Sequence, residues 1–197
     1  MTKRLFDIIF SFLGLLISSP LFFIIALMIK LSSPGPVFYR GKRVGRFGKS
    51  FPIFKFRTMV PDAEKLGGPS TPADDPRLTK IGKFLKKYQL DELPQLINVL
   101  KGEMSFVGPR PEVQMYVNMM SEEEKKTILS VPPGMTDWAS LWDFHEGELL
   151  RGSEDPERVY QENIRPTKIK LQLKYVKERS FWTDLRIIFK TIFKIFQ

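Results

Sequence analysis

The stretch that decides the fold is residues 8–29, IIFSFLGLLISSPLFFIIALMI, a run of 22 residues without a charged side chain. At about 1.5 Å of rise per residue, a helix of this length could cross a hydrocarbon core of roughly 30 Å. The run is too long for a cleaved signal peptide, and residues 30–34 do not form a small-x-small cleavage site. It therefore predicts a membrane-inserted helix, with a buried core helix as the alternative.

The middle of this run contains a helix-weakening sequence, Ser18-Ser19-Pro20. Proline removes one helical hydrogen bond and favours a kink, and the serine hydroxyls can satisfy freed carbonyls inside a bilayer. Cations flank the run on both sides, which favours a cytoplasmic position for both ends. We therefore predict a re-entrant helical hairpin over residues 1–33, bent near Ser19 and Pro20. A straight or kinked span with its N-terminus outside is the alternative. The flanking cations are Lys3, Arg4, Lys30, Arg40, Lys42 and Arg43.

The composition limits the chemistry that the chain can perform. Its 197 residues include no cysteine and one histidine, which excludes a disulfide framework, zinc–thiolate and iron–sulfur centres, thiol catalysis and a multi-histidine metal site. The net charge is +9, and the whole excess lies in residues 1–60. Such an excess suggests an anionic partner, namely nucleic acid, anionic lipid or a phosphorylated substrate.

Residues 34–197 predict a mainly helical α+β domain. Residues 37–40 and 51–57 predict two strands joined by a turn at 45–49, a basic hairpin in which Pro52 confines its strand to a sheet edge. Residues 61–76 predict a loop. Helical spacing and capping signals predict four helical regions. These are residues 77–87, about Pro94 to Gly102, residues 121–130 with a Ser121/Glu124 capping box, and the chain from Arg165 onward.

Residues 181–196 have an amphipathic helical pattern. The pattern is typical of an interfacial membrane helix and equally of a helix packed on the domain, and the two placements are compatible. The apolar face comprises Phe181, Leu185, Ile188, Phe189, Ile192, Phe193 and Phe196, and the other face comprises Asp184, Arg186, Lys190 and Lys194.

Asp91 and Glu92 are the strongest candidates for chemistry. They are flanked by Leu90 and Leu93, and Pro94 opens a helix directly after them. This places two carboxylates at a helix N-terminus, where backbone N–H groups favour anions, and a buried acid also requires a cation or a metal. Simple N-terminal capping is the alternative.

Three cations are candidates for phosphate binding. Lys55 and Arg57 alternate with aromatic residues in the second predicted strand, and two prolines fix the backbone around Arg110. The planar guanidinium of arginine suits phosphate. A solvated strand face and a structural salt bridge are the alternatives. Three cations and two acids beside a membrane helix suggest a phosphate ester and a divalent metal.

Taken together, the motifs resemble the monotopic bacterial phosphoglycosyl transferases, which initiate glycan assembly on polyprenol phosphate. They occur in order across residues 1–112, and the chain resembles the minimal catalytic unit of that family. The resemblance weakens over residues 134–141, so it does not identify the donor sugar. The matching motifs are Ser19-Pro20, residues 34–38, residues 55–59, residues 75–82, residues 90–95 and residues 98–111.

The resemblance implies a two-step transfer at the cytoplasmic face of the bacterial inner membrane. Asp91 would attack the β-phosphorus of a UDP-sugar and release UMP, and polyprenol (undecaprenyl) phosphate would then take the phosphosugar from the aspartate. Glu92 would hold Mg²⁺ on the diphosphate, and Lys55, Arg57 and Arg110 would bind phosphate. The expected partners are the UDP-sugar, the polyprenol phosphate and membrane lipids. Nucleic acid is not expected, and a homo-oligomer is left open.

Two other functions also fit these residues. A non-catalytic basic membrane-surface module would bind anionic lipid or nucleic acid, and it would depend on the charges of residues 40–57 but not on Asp91. A membrane phosphohydrolase would use the same acids and metal, and it would turn over without a lipid acceptor.

Overall fold

Helices dominate the part of the chain that the computed structural model describes, residues 2–195. The strands are few and short, which confirms the prediction of a mainly helical α+β fold. The α-helices are α1 (Thr2–Ser32), α2 (Ala63–Leu66), α3 (Lys80–Lys87), α4 (Gln95–Lys101), α5 (Gln114–Asn118), α6 (Glu122–Ile128), α7 (Trp138–Trp142), α8 (Glu146–Leu149), α9 (Pro156–Val159), α10 (Arg165–Glu178) and α11 (Phe181–Ile195). The strands are β1 (Phe38–Val44), β2 (Ser50–Phe56), β3 (Ser105–Val107) and β4 (Gly134–Thr136).

Helix α1 runs through Pro20 without interruption. Because proline has no N–H, the carbonyl of Leu16 four residues earlier loses its usual helical donor. The hydroxyl of Ser19 donates to that carbonyl at 2.8 Å, and the hydroxyl of Ser18 donates to the carbonyl of Gly14 at 2.6 Å. The predicted role is therefore confirmed for Ser19, whereas Ser18 bonds a carbonyl that Pro20 does not free, and the re-entrant path stays a prediction.

Most side chains of α1 do not contact the protein. Only 11% of its most apolar 18-residue window is buried, and Ile17, Phe23 and Leu31 are 73–79% exposed. A core helix of a soluble protein would bury such residues. The exposure favours the membrane-inserted helix over the buried core helix.

Both ends of α1 nevertheless attach to the same globular body. Near the start, Arg4 donates to two carbonyls in the last turn of α4 at 2.6 and 2.8 Å. Near the end, Ile25 and Ile29 are fully buried against Phe56 and Leu85. A cation suits the carbonyl end of a helix, so Arg4 caps α4 as it anchors α1.

The predicted basic hairpin is confirmed. Strands β1 and β2 pair antiparallel, from Phe38 opposite Phe56 to Val44 opposite Ser50, and residues 45–49 form the turn. Asn98 closes the outer edge of β2, since its side-chain amide accepts from the N–H of Phe54 at 2.9 Å and donates to the carbonyl of residue 52 at 2.8 Å. The proline at position 52 therefore lies on a sheet edge, as predicted.

A second, parallel pair of strands was not predicted. Ser105 of β3 lies opposite Gly134 of β4, and Val107 lies opposite Thr136. The two chains approach so closely that a Cβ atom added at Gly134 would lie 2.1 Å from the backbone nitrogen of Gly108. Only glycine fits there, because any side chain would collide with the neighbouring backbone.

Residues 61–76, predicted to be a loop, form a loop apart from the single-turn helix α2, and one buried arginine holds this segment. The guanidinium of Arg77 forms two bonds with the carboxylate of Asp75 and donates to the carbonyls of Gly68 at 2.9 Å and Ser70 at 3.2 Å. Arg77 therefore belongs to the loop, and the helix predicted to start there begins instead after Thr79, whose hydroxyl caps it.

Helix α11 packs on the domain and also presents an aromatic surface. Asp184 and Ile187 are buried, and the hydroxyl of Tyr175 donates to Asp184 at 2.8 Å. On the other side, Trp182 is 78% exposed and Phe193 is 70% exposed. Packing of this helix on the domain is thus confirmed, through the face that carries Asp184, whereas its interfacial membrane placement stays a prediction. The predicted apolar residue Phe196 lies outside the described residues.

Candidate active site

The two candidate acids lie on a single 3₁₀ turn, Leu90–Glu92, that leads directly into α4. The turn follows Gln89, which has a left-handed φ of 53°. That backbone conformation is unfavourable for a residue other than glycine, and it persists only where other contacts enforce it. The side-chain amide of Gln89 supplies one such contact, because it donates to the carbonyl of Phe144 at 3.1 Å.

Glu92 is held by two of the predicted cations. The ammonium of Lys55 lies 2.7 Å from its Oε1 atom, and the guanidinium of Arg110 contacts both carboxylate oxygens. Burial opposes ionisation of Glu92, but Arg110 and Lys55 outweigh it and hold the pKa of this carboxyl well below its usual range. Conversely, the charge of Glu92 raises the pKa of Arg110. The three side chains form a fully ionised cluster.

Asp91 differs from its neighbour. Its side chain is buried, with 6% of the residue exposed, and no group within residues 2–195 donates a hydrogen bond to it. Burial raises the pKa of Asp91 to about 6, and the charge of Glu92 adds to this effect, while Lys55 and Lys86 oppose it. The result is a carboxylate that faces cations without being paired to one.

Lys86 is a further cation of this site and was not among the predicted site residues. It is mostly desolvated, which lowers its pKa, and the charge of Asp91 partly offsets this effect. Its ammonium donates to the carbonyl of Thr71 in the long loop at 3.3 Å. A lysine at helical spacing from other lysines has the pattern of a solvated helix face, so its sequence context gave no signal.

Arg57 is not brought into this cluster. Its guanidinium donates to the carbonyl of Pro34 and to the carbonyl and hydroxyl oxygens of Ser33, the latter two at 2.8 and 2.9 Å. It follows β2 and is directed to the chain that leaves α1. Arg57 thus tethers the chain that leaves α1, and its predicted phosphate-binding role stays a prediction.

A second charged group lies behind the first and was missed. Lys168 of α10 is buried and pairs with Asp143 at 2.9 Å and with Glu146 at 2.6 Å. Burial would lower the pKa of Lys168, but the two acids outweigh it and the pKa is raised. Phe144, which accepts the Gln89 bond, lies between those acids. The cluster therefore fixes the segment against which the turn of Asp91 rests.

The acids of the site fit a magnesium ion together with a substrate. Within residues 2–195, no group of three or more His, Cys, Asp or Glu side chains is placed to hold a metal. Mg²⁺, however, takes one or two carboxylates and completes its shell with water and phosphate oxygens. Asp91 and Glu92 supply that number, and the oxygens of Asp91 carry no hydrogen bond from the described chain.

The similarity to known proteins extends over the whole chain. A family model described as "Bacterial sugar transferase" matches residues 1–197. The chain is 41% identical over 197 residues to the UDP-glucose:undecaprenyl-phosphate glucose-1-phosphate transferase of Escherichia coli strain K12, an alignment that covers 98% of this chain and 40% of that protein.

Two further relatives have the same order of similarity. A UDP-N-acetylgalactosamine-undecaprenyl-phosphate N-acetylgalactosaminephosphotransferase of Aeromonas hydrophila is 37% identical over 194 residues, covering 96% of this chain and 42% of the relative. The exopolysaccharide production protein ExoY of Rhizobium meliloti strain 1021 is 37% identical over 207 residues, covering 98% of this chain and 84% of the relative. The chain thus spans about two fifths of the length of the Escherichia and Aeromonas relatives.

Proposed function

The chain belongs to the bacterial sugar transferase family, and on that premise we propose that it transfers a sugar 1-phosphate from a UDP-sugar to undecaprenyl phosphate with release of UMP. The observation that carries this proposal is Asp91, a buried carboxylate beside Lys55, Lys86 and Arg110 to which no group of the described chain donates a hydrogen bond. An unpaired buried charge is unfavourable, and such groups cluster where a side chain has chemistry to perform.

In the first step, Asp91 acts as the nucleophile. One of its carboxylate oxygens forms a bond to the β-phosphorus of the UDP-sugar. The bond from that phosphorus to the oxygen bridging the two phosphates breaks, and this oxygen leaves with UMP. A covalent intermediate divides one difficult transfer into two easier ones. Lys55 and Arg110, which flank Glu92, stabilise the charge that develops on the phosphate oxygens.

In the second step, an oxygen of undecaprenyl phosphate attacks the same phosphorus. The bond between that phosphorus and Asp91 breaks, which restores the carboxylate and yields undecaprenyl diphosphate sugar. Glu92 would hold Mg²⁺, and the ion when bound offsets the negative charge of the diphosphate. Throughout, Lys55 and Arg110 fix the position of Glu92 beside the nucleophile.

The same proposal places α1 in the cytoplasmic leaflet of the bacterial inner membrane as a re-entrant helix. Attachment of both its ends to one body supports this, because a helix that crossed the bilayer would carry one end away from the domain. The chain lacks cysteine, so Thr2→Cys and Ser50→Cys can each be labelled alone with an impermeant maleimide. Labelling of both only from the cytoplasmic side is expected, and labelling of Thr2→Cys from outside contradicts it.

Product analysis tests the reaction. Detergent-solubilised protein is incubated with Mg²⁺, undecaprenyl phosphate, and UDP-glucose or UDP-N-acetylgalactosamine, which are the donors printed in the relatives' names. Formation of UMP in equal amount with a polyprenyl diphosphate sugar is expected. Formation of UDP would instead indicate glycosyl transfer, and sustained UMP release without the acceptor would indicate a phosphohydrolase.

A further inference from the structure

One face of the β1–β2 hairpin carries cations that the active site does not use. Side chains alternate between the faces of a strand. Lys55 therefore projects to the face that meets Glu92, whereas Phe54 projects to the opposite one together with its partner Arg40 and, one pair further, Lys42. Arg40 and Lys42 are exposed.

The ring of Phe54 is the centre of this opposite face. The guanidinium carbon of Arg40 lies 5.0 Å from the ring centroid, and the ammonium of Lys101, from the end of α4, lies 4.8 Å from it. Two cations held on one aromatic ring form a compact positive surface. We define the outer basic face as Arg40, Lys42 and Lys101 around Phe54.

Residues 2–195 supply no ion-pair partner for this surface. No Asp or Glu occurs between residues 8 and 61. Within residues 2–195 no carboxylate forms an ion pair with Arg40, Lys42 or Lys101. Lys55, on the other side of the same strand, is paired with Glu92. The anions that balance the outer basic face must therefore come from another molecule.

The outer basic face adjoins α1. Phe38 and Phe56, the next cross-strand pair on the same side, pack against the second half of α1, with the rings of Phe22 and Phe56 5.0 Å apart. At the other end, Arg4 of α1 binds the carbonyl of Leu100, the residue before Lys101. The cations thus lie beside a helix whose free side chains are apolar.

We propose that the outer basic face binds the headgroups of anionic phospholipids. This inference rests on the proposed membrane placement of α1, because a leaflet that receives α1 brings its headgroups to the level of the neighbouring cations. Each lysine or arginine near an anionic membrane surface is attracted to it, and salt weakens the attraction. Lipid binding on the outer face would leave Lys55, on the inner face, directed to the active site.

Lipid selectivity in nanodiscs tests this inference. The full chain is placed in phosphatidylcholine nanodiscs that contain a trace of spin-labelled phosphatidylglycerol or spin-labelled phosphatidylcholine, and the motionally restricted fraction of each label is measured. A preference for the anionic label of about fivefold is expected. It should fall close to one in the variant Arg40→Gln, Lys42→Gln, Lys101→Gln, and in high salt.

A matched control removes the same charge elsewhere. The variant Lys126→Gln, Lys170→Gln, Lys177→Gln alters exposed lysines of α6 and α10 and should keep the preference. Equal loss in both variants, or no preference in the unaltered chain, overturns the inference. An unaltered chain that shows the preference but forms no UMP would leave this inference standing and defeat the proposed transferase.

Discussion

The cluster of Asp75 and Arg77 and the cluster of Asp91, Glu92 and their cations are both buried, yet they differ in how completely their polar groups are paired. Arg77 binds both oxygens of Asp75 at 2.7–3.1 Å and uses its remaining donors on loop carbonyls. In the second cluster, Glu92 is paired with Lys55 and Arg110 but accepts a single bond at its Oε2 atom, and Asp91 beside it is paired with neither cation.

Asp75 and Asp91 also differ in the direction in which the protein shifts their pKa values. Burial acts to raise the pKa of Asp75, but the bonds from Arg77 outweigh it and the pKa lies below its usual value. Burial raises the pKa of Asp91 to about 6. A complete set of bonds is what a structural ion pair needs. Asp91 lacks those bonds but lies beside Lys55, Lys86 and Arg110, cations that can bind a phosphate, so the two clusters separate stability from chemistry.

The largest expected effect comes from Asp91→Asn. The rate of UMP formation should fall by about 10⁴-fold or more, because an amide cannot replace the carboxylate as nucleophile. Stability should not fall, since the substitution removes a buried charge. Asp62→Asn, at an exposed acid, is the control and should keep the rate. A residual rate above one hundredth of the unaltered enzyme's, on the order of what a supporting group contributes, contradicts the assignment.

Next in size is the loss of stability expected from Asp75→Asn. The free energy of unfolding should fall by about 3–5 kcal/mol, because the buried guanidinium of Arg77 loses its charged partner. Denaturant unfolding in detergent measures the change. Asp62→Asn breaks the exposed pair with Lys65 and should cost less than about 1 kcal/mol. Equal losses of unfolding free energy in Asp75→Asn and Asp62→Asn would contradict the claim that the buried ion pair stabilises the fold more than the exposed one.

A smaller effect is expected from Lys55→Met. The rate of UMP formation should fall by about 10²-fold, because one of the two cations beside Glu92 and the phosphates is lost. Methionine keeps the apolar stem, and Arg110 still contacts both oxygens of Glu92, so the melting temperature should change little. Lys49→Met, in the exposed turn of the same hairpin, serves as the control. An unchanged rate in Lys55→Met would show that Lys55 has no part in phosphate transfer.

The smallest expected effect is a pH-dependent gain in stability in the variant Glu112→Gln. Both carboxylate oxygens of Glu112 are buried without a hydrogen-bond partner in residues 2–195. Burial raises the pKa of Glu112, and Arg165 and Lys168 offset this only in part. Because the pKa of Glu112 is higher in the folded state than in the unfolded state, the free energy of unfolding falls as the pH rises through the folded-state pKa. Glutamine avoids that loss.

The variant should therefore be more stable than the unaltered chain at mildly alkaline pH. The gain should vanish as the pH falls toward 4.5, the ordinary pKa of the group. Denaturant unfolding at several pH values measures it. A gain that is the same at every pH would indicate that packing, not charge, is responsible.

Much of the local structure follows from local sequence. The turn at residues 45–49, the capping box of Ser121 and Glu124, and a helix bounded by Pro94 and Gly102 were all predicted from short-range signals, because caps and turns act within a few residues. Lys55 and Arg110 both contact Glu92. This agrees with the prediction that these cations lie close to the two acids.

The features that could not be predicted from the sequence depend on contacts between segments that are distant along the chain. Strands β3 and β4 are each only three residues long, which is too short for a pattern of alternating apolar residues to be recognised. Each segment becomes a strand only by pairing with the other. The ion pair of Lys168 and Asp143 joins segments far apart in the chain. Arg57 alternates with aromatic residues as Lys55 does, yet it lies beyond the last paired residue of β2 and turns to the end of α1.

The central claim is that Asp91 becomes covalently bonded to the phosphosugar, and intact-protein mass spectrometry tests it most directly. The chain is mixed with UDP-sugar and Mg²⁺ without the acceptor, then digested to locate any adduct. We predict a mass gain of one sugar phosphate on the peptide containing Asp91, its loss on addition of undecaprenyl phosphate, and its absence in Asp91→Asn. An adduct that persists in Asp91→Asn, or full UMP formation without any adduct, would contradict the account.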